Sequence, residues 1–381
     1  MSVWDTVVGQ PVVDNLRAVA RAGADGDNGQ MTHAWLFTGP PGSGRSVLAR
    51  AFAAGLQCPD GGCGECAECA DVRSGVHPDV TNLVTDGLWI KIKQIRDVVP
   101  RAALRPARGR WQIVVIEDAD RLGEDAADAL LLALEEPPVR TVWMLCAPAA
   151  EDIVPTIRSR CRVVQLRTPP YPDVAAYLST STGVDEAMAG FAARASLGHI
   201  GRAKALATDP DVRARRQQVL RLPFSVGSVG DCLTAAGALA DAAKQDADRR
   251  CDELDTREID DLKTALGAGS TGTRPRSLNA AVKDLEREQK LRRTRVARDS
   301  IDRALVDVLA LYRDVLALQL STRSELVNEE IRPSLERLAG ESSPESTLRR
   351  MSAISHAREA LEVNAAPQLT LEAMALALRD G

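Results

Sequence analysis

The sequence predicts an α/β domain built on a five-stranded parallel sheet, followed by a helical remainder. Three observations predict it. Short apolar or β-branched runs alternate with helix-period segments through residue 167, the pattern of βαβ units. A glycine-rich turn, Gly39-Pro40-Pro41-Gly42-Ser43-Gly44-Arg45-Ser46, closes the first of those runs. Beyond Thr168 strand signals stop and Ala/Leu/Asp/Arg-rich helical patterning takes over.

The strands are expected at 34–38 (AWLFT), 80–84, 112–116 (QIVVI), 142–146 (VWMLC) and 163–166. Helical segments separate them at 92–99, at 126–136 before Pro137-Pro138, and at 153–158. In such a sheet ligands collect at the carboxyl ends of the strands, where the glycine turn falls. Residues 171–207 read as three short helices punctuated by Gly183 and Gly198. After Pro210 a long helical region is broken by a flexible connection near 267–277 (GAGSTGTRP). Three domains follow, at 1–167, 168–209 and 210–381.

At 381 residues the chain exceeds one ordinary core. With 45% hydrophobic and 27% charged residues it is no disordered chain, and with 3% aromatics Ala/Leu packing must carry the core. A net charge of -5 argues against a protein that coats nucleic acid. The segment MSVWDTVVGQPVVDNL has neither a basic nor an apolar leader pattern, and no apolar run approaches the ~20 residues that span a bilayer. A cytoplasmic protein is expected, with no membrane partner.

GPPGSGRS has the spacing of a phosphate-binding loop, where glycine backbone approaches phosphates and the next helix offers its first N–H groups. Gly39, Gly42 and Gly44 make the turn, and Ser46 offers a hydroxyl for magnesium. A tight turn without ligand is the alternative. Arg45 stands where such loops carry lysine, and its planar fork does not replace a compact ammonium. The acids after QIVVI read Glu117-Asp118, the reverse of a hydrolytic Asp-Glu pair. Exchanging the two side-chain lengths moves both carboxylates by about a bond length, and errors of about 1 Å cost ~100-fold in rate. The expectation is ATP/Mg2+ binding that is weak or absent, without appreciable hydrolysis; whether the chain is an enzyme stays open.

Four of the eight cysteines crowd into Cys58, Cys63, Cys66 and Cys69, with Gly61, Gly62 and Gly64 between them. Four thiolates in a dozen residues suit a closed tetrahedral zinc site of structural kind. The run also has some spacing of iron–sulfur ligation but lacks the Cys-x3-Cys-Pro continuation; redox thiols are the third reading. The scattered Cys146, Cys161, Cys232 and Cys251 read as small buried hydrophobes. Thr156 to Cys161 carries arginines at a helix end. Such arginines are solvated or pair with the helix dipole, or reach a neighbouring subunit's phosphate from the domain edge.

Together these pieces resemble the clamp-loader branch of the AAA+ ATPases. The resemblance is carried by Val8-Gly9-Gln10, His33-Ala34-Trp35, GPPGSGRS, the cysteine cluster, His77-Pro78-Asp79, Ala129 to Pro138 (ALLLALEEPP) and Ser159-Arg160-Cys161. It covers residues 1 to about 210, and implies an AAA+ P-loop domain, a three-helix lid and an all-α collar. It implies zinc on Cys58, Cys63, Cys66 and Cys69, and makes Arg160 an arginine finger donated to ATP on an adjacent subunit. It matches Arg202, in Gly198-His199-Ile200-Gly201-Arg202, to the sensor-two arginine; the sensor-one position falls on Ala147-Pro148, which offer no polar side chain. These departures fit the stator-like subunit of a bacterial DNA polymerase III clamp loader. Its implied partners are the motor (gamma/tau) and delta subunits in a heteropentamer, with the sliding clamp and primer–template DNA met through the complex. The rivals are an autonomous AAA+ motor of recombination or repair and a zinc-stabilised scaffold indifferent to nucleotide. Two basic stretches, Arg101 to Arg110 and Arg287 to Arg298, read as solvated faces or as tracks for duplex phosphates.

Overall fold

The computed structural model describes residues 2–24, 31–85, 89–265, 276–363 and 365–381. They fall into two compact units, Met1–Thr208 and Asp209–Gly381. In the first, a 3-10 turn (Val3–Thr6) and α1 (Val13–Ala24) precede β1 (Ala34–Thr38), and α2 (Arg45–Gln57) and α3 (Ala67–Ser74) lead to β2 (Val80–Leu83). Then α4 (Ile92–Ala102) precedes β3 (Gln112–Ile116), α5 (Glu124–Glu135) precedes β4 (Thr141–Ala147), and α6 (Pro155–Arg158) precedes β5 (Arg162–Gln165). Helices α7 (Tyr171–Thr182), α8 (Glu186–Ala195) and α9 (Ile200–Thr208) complete the unit.

All five strands pair in parallel, in the order β2-β3-β4-β1-β5. Alternate side chains feed two cores. Trp35, Phe37, Ile113, Val115 and Met144 pack with Leu16, Leu48, Phe52 and Leu56 on one face. Leu36, Val114, Ile116, Trp143 and Leu145 pack with Ile95, Val98, Leu130 and Leu134 on the other. With both faces covered, β3 and β4 are apolar almost throughout rather than alternating. This register sets the carboxyl ends of β1 and β3 on the same edge, Thr38 beside Ala147 and Ile116 beside Leu145.

Several boundaries differ from expectation: β4 spans Thr141–Ala147, α4 runs on to Ala102 and α5 spans Glu124–Glu135, and three further differences have physical reasons or extend the pairing. α6 begins at Pro155 rather than Ile153, because proline suits the first helical position while the residue before it is pushed out of the α region; Val154 is accordingly extended, with φ -52° and ψ 136°. β5 starts at Arg162 and ends at Gln165, although Leu166 N–H still donates to the Thr38 carbonyl at 2.7 Å. β2 ends at Leu83.

Among its described residues the second unit has helices and no strand: α10 (Pro210–Leu220), α11 (Val229–Ala265), α12 (Arg276–Gln319), α13 (Arg332–Glu341), α14 (Pro344–Glu362) and α15 (Pro367–Asp380). The connection expected near 267–277 falls mostly on residues outside those described, and helix resumes at Arg276. At their far ends from that connection α11 and α12 are buried apolar, through Cys232, Ala236, Leu239 and Ala243 against Ile301, Leu305, Val308 and Leu311. Toward the connection the seam turns polar. Arg293 bridges Asp248 (3.1 Å), Asp252 (2.7 Å) and Asp255 (2.7 Å), and Arg292 grips Asp255 (2.6 Å) and Glu258. Ser300 donates to Asp246 at 2.6 Å. The basic stretch Arg287 to Arg298 therefore includes two arginines that neutralise a neighbouring helix, and neither reading from the sequence anticipated this. Among the described residues no helix is long and apolar enough to cross a membrane.

Candidate functional site

Gly42 (φ 85°) and Gly44 (φ 91°) hold backbone conformations that side chains rarely adopt, so the turn from β1 into α2 depends on them. α2 starts with no side-chain cap, leaving its first N–H groups facing the turn as in a phosphate cradle. Gly39 N–H donates to the Pro148 carbonyl (3.0 Å), so the sensor-one position contributes backbone only. Gln10 straps the turn from outside: its amide donates to the carbonyls of Ser43 (3.1 Å) and Arg167 (2.7 Å) and accepts from Arg167 N–H.

Two side chains bear on the turn. Arg45 folds back and donates through Nη1 to the carbonyl of Gly39, so its cation serves the loop itself. From the other side His199 sits on the turn; a Cβ added to Gly42 would lie 2.4 Å from His199 Cγ and 2.5 Å from its Cα. Ser43 Oγ is buried with no hydrogen-bond partner among the described residues. Ser46 lies half-buried in the first turn of α2.

The acids beyond β3 are similarly committed. Glu117 accepts from Arg50 Nη1 at 2.9 Å, an ion pair within the chain. Asp118 takes the left-handed conformation (φ 52°) and opens a short 3-10 turn. Burial, with the Asp118 charge adding to it, pushes the Asp120 carboxyl up from its ordinary value. Burial also raises the Cys146 thiol to about 12, with Glu117 acting in the same direction, so this cysteine is an inert core residue. Cys232 and Cys251 are buried as well, whereas Cys161 is only half-buried. The structure brings Gly39, Gly42, Gly44, Arg45 and Ser46 into one turn, with Glu117 and Asp118 after β3. What it presents is a nucleotide fold whose charged groups answer one another.

Arg160 follows α6, and Arg202 lies in α9. Arg160 is 35% exposed and donates through Nη2 to Glu135 (2.6 Å) and through Nη1 to the Thr156 carbonyl (2.8 Å) and Ser159 Oγ (3.3 Å). Leu132, three residues before Glu135 in α5, is 68% exposed, and Val163, three residues after Arg160, is 45% exposed. Arg202 sits in the first turn of α9, its N–H donating to His199 Nδ1 at 3.2 Å.

The four clustered cysteines are all reduced, and their sulfurs lie within 4.8 Å of one another. Cys58 Sγ is 3.6 Å from Cys63 Sγ and 3.7 Å from Cys66 Sγ. Zinc at ~2.3 Å from four tetrahedral sulfurs requires them ~3.8 Å apart, so the donor set fits that ion. Backbone N–H groups of Asp60, Cys63, Glu65, Cys66 and Cys69 point at the sulfurs of Cys58, Cys63 and Cys66, 3.4–3.5 Å away, as thiolates need. Those from Glu65 and Cys66 lower the Cys63 thiol to about 7. Burial pushes Cys66 and Cys69 up, a cost that a cation would remove. The five-residue step from Cys58 to Cys63 does not keep Cys58 out of the cluster.

Sequence reasoning missed what ties this module to the sheet. His77 Nε2 meets Glu68 of α3 at 2.5 Å, while its Nδ1 accepts from Asp79 N–H. The Asp79 carboxylate in turn accepts from Ala107 (2.6 Å), Arg108 (2.9 Å) and Gly109 (2.6 Å). Burial alone would raise this carboxyl, but the three donors hold it below its ordinary value. Arg108 pairs with Glu68 and Asp71, so one member of the first basic stretch is structural. The signal was the triplet His77-Pro78-Asp79 itself, whose two side chains flank a rigid proline.

Residues 17–170 match the profile of the family described as DNA polymerase III, delta subunit. The chain is 32% identical over 246 residues to the DNA polymerase III subunit delta' of Escherichia coli, covering 63% of this chain and 72% of that protein. It is 38% identical over 142 residues to the delta' subunit of Pseudomonas aeruginosa, covering 36% and 43%. The tau subunit of Salmonella typhimurium is 32% identical over 143 residues, covering 36% of this chain and 22% of that one. Among solved structures, a DNA polymerase III gamma subunit-related protein of Thermotoga maritima aligns with 96% of this chain and 98% of its own, at 16% identity and a TM-score of 0.43.

Proposed function

The chain belongs to the family of DNA polymerase III delta' subunits, and from this we propose that it is the stator-like subunit of a clamp loader. In that reading residues 1–167 form the AAA+ domain, 168–209 the lid and 210–381 the collar that holds a heteropentamer with gamma/tau and delta subunits. The complex opens a sliding clamp and places it on primer–template DNA, while this subunit turns over no ATP of its own.

One observation carries the proposal. Arg160 stays partly exposed, its only contact from another element among those described being Glu135, while Arg45 and Glu117 are spent inside the chain's own nucleotide cradle. A guanidinium offered across a boundary stabilises charge on a γ-phosphate and is worth ~10³–10⁵ in rate. Arg202, at the start of α9 beside His199, occupies a sensor position that has no nucleotide chemistry to report. Zinc on Cys58, Cys63, Cys66 and Cys69 performs no reaction; with four protein ligands it holds the loop between α2 and α3.

The test is Arg160→Ala in the reconstituted complex. Subunit co-elution is expected to persist, and DNA-stimulated ATP hydrolysis and clamp loading to fall by at least ~100-fold. Unchanged rates would overturn the assignment. Hydrolysis by the isolated chain at motor-like rates would instead favour an autonomous ATPase.

A further inference from the structure

Glu135 is the last helical residue of α5, followed by Glu136 and then Pro137-Pro138. The C-terminus of a helix carries partial negative charge, so a carboxylate there is unfavourable by itself. Its neighbour is Arg160 Nη2 at 2.6 Å. The other two contacts of the Arg160 guanidinium, to the Thr156 carbonyl and Ser159 Oγ, come from its own turn and move with it. Among the described contacts, Glu135 is therefore the anchor that comes from another element. Both partners are partly solvated, 35% and 41% exposed, so the pair is accessible and exchangeable.

The geometry points to Glu135 as a latch on Arg160: its carboxylate holds the guanidinium against the chain's own surface until a phosphate on a neighbouring subunit displaces it. This rests on reading Arg160 as the finger. A triphosphate and the Glu135 carboxylate compete for the same donor, and the carboxylate, next to a helix C-terminus, also repels an approaching polyanion. Both effects act in one direction. Removing the charge at Glu135 makes the finger easier to engage, so Glu135 is a positioning residue that restrains the reaction.

The experiment is steady-state ATP hydrolysis by the assembled complex, at low and high salt, with Glu135→Gln, Arg160→Ala and the double variant. Glu135→Gln is expected to raise kcat/KM for ATP by about two- to fivefold at low salt, the range of an exposed ion pair, with the gain shrinking at high salt. The double variant should match Arg160→Ala, and Glu135→Asp should restore the restrained rate. A merely structural role for Glu135 would lower activity or leave it unmoved. An unchanged or reduced rate in Glu135→Gln, with Arg160→Ala still defective, overturns the latch. Arg160→Ala at full rate overturns the finger reading instead. Should Glu135→Gln fail to fold, Glu135→Ala carries the same comparison.

Discussion

Gly42 and His199 meet backbone to backbone: a Cβ on Gly42 would fall 2.5 Å from His199 Cα. The glycine turn after β1 and the entrance to α9 are thus fitted to each other. Gly42→Ala is accordingly expected to destabilise by about 1–3 kcal/mol, from overpacking and from φ 85°. For a unit of this size that lowers the melting temperature by roughly 2–12 °C. Because the clash includes His199 Cα, His199→Ala should not rescue the variant. Thermal unfolding of the single and double variants checks this.

Arg45→Lys restores the residue usual in a phosphate loop and removes the contact to the Gly39 carbonyl. Tighter nucleotide binding is expected, without turnover. Glu117 stays paired with Arg50, and the order of the two acids remains reversed. Fluorescent-nucleotide titration alongside a phosphate-release assay separates the two effects; brisk release by the variant would refute the account of the acids.

One zinc per chain is expected in metal analysis of the purified protein, and Cys58→Ser should abolish stoichiometric retention. Chelation should expose amides of residues 58–75 to hydrogen exchange and leave β3 and β4 protected. Binding displaces thiol protons, so affinity falls as pH falls. Cys63, held at about 7 by two backbone donors, adds one further proton to that competition below about pH 7. A zinc affinity indifferent to pH between 6 and 8 would contradict this.

The seam between α11 and α12 should behave as an electrostatic joint. Arg292 pulls the Glu258 carboxyl below its ordinary value, and Ser300 and Arg250 do the same to Asp246 against the cost of burial. Folded values lower than unfolded ones mean this stability is full above about pH 5 and is lost as pH falls through the folded values. Hydrogen exchange at residues 246–263 and 282–300 is expected to accelerate at acid pH and at ~1 M salt, where screening reaches ~3 Å, before the sheet responds. Arg292→Ala, which removes a largely buried cation from Asp255, should do the same at neutral pH and low salt.

Much of this molecule is written in local patterns. QIVVI and VWMLC declare buried strands because both sheet faces are covered, and GPPGSGRS declares a turn because its glycines need left-handed backbone. Four cysteines within a dozen residues declare a metal-sized cluster because so short a loop keeps them together. The pairing of α11 with α12 was half legible: Asp248, Asp252 and Asp255 follow helical spacing and make one acidic stripe. Nothing local says which basic residues face that stripe.

The sequence alone determined the sheet, the phosphate-loop turn, the cysteine cluster and the departures from a hydrolytic site, since each depends on neighbours within a few residues. The tertiary structure decided where the charges go. Arg45 turning to Gly39, Glu117 held by Arg50, His199 resting on Gly42 and Arg160 resting on Glu135 join residues separated by 6 to 157 positions. Long side chains choose partners by distance in space, and that distance exists only after the sheet and helices have packed.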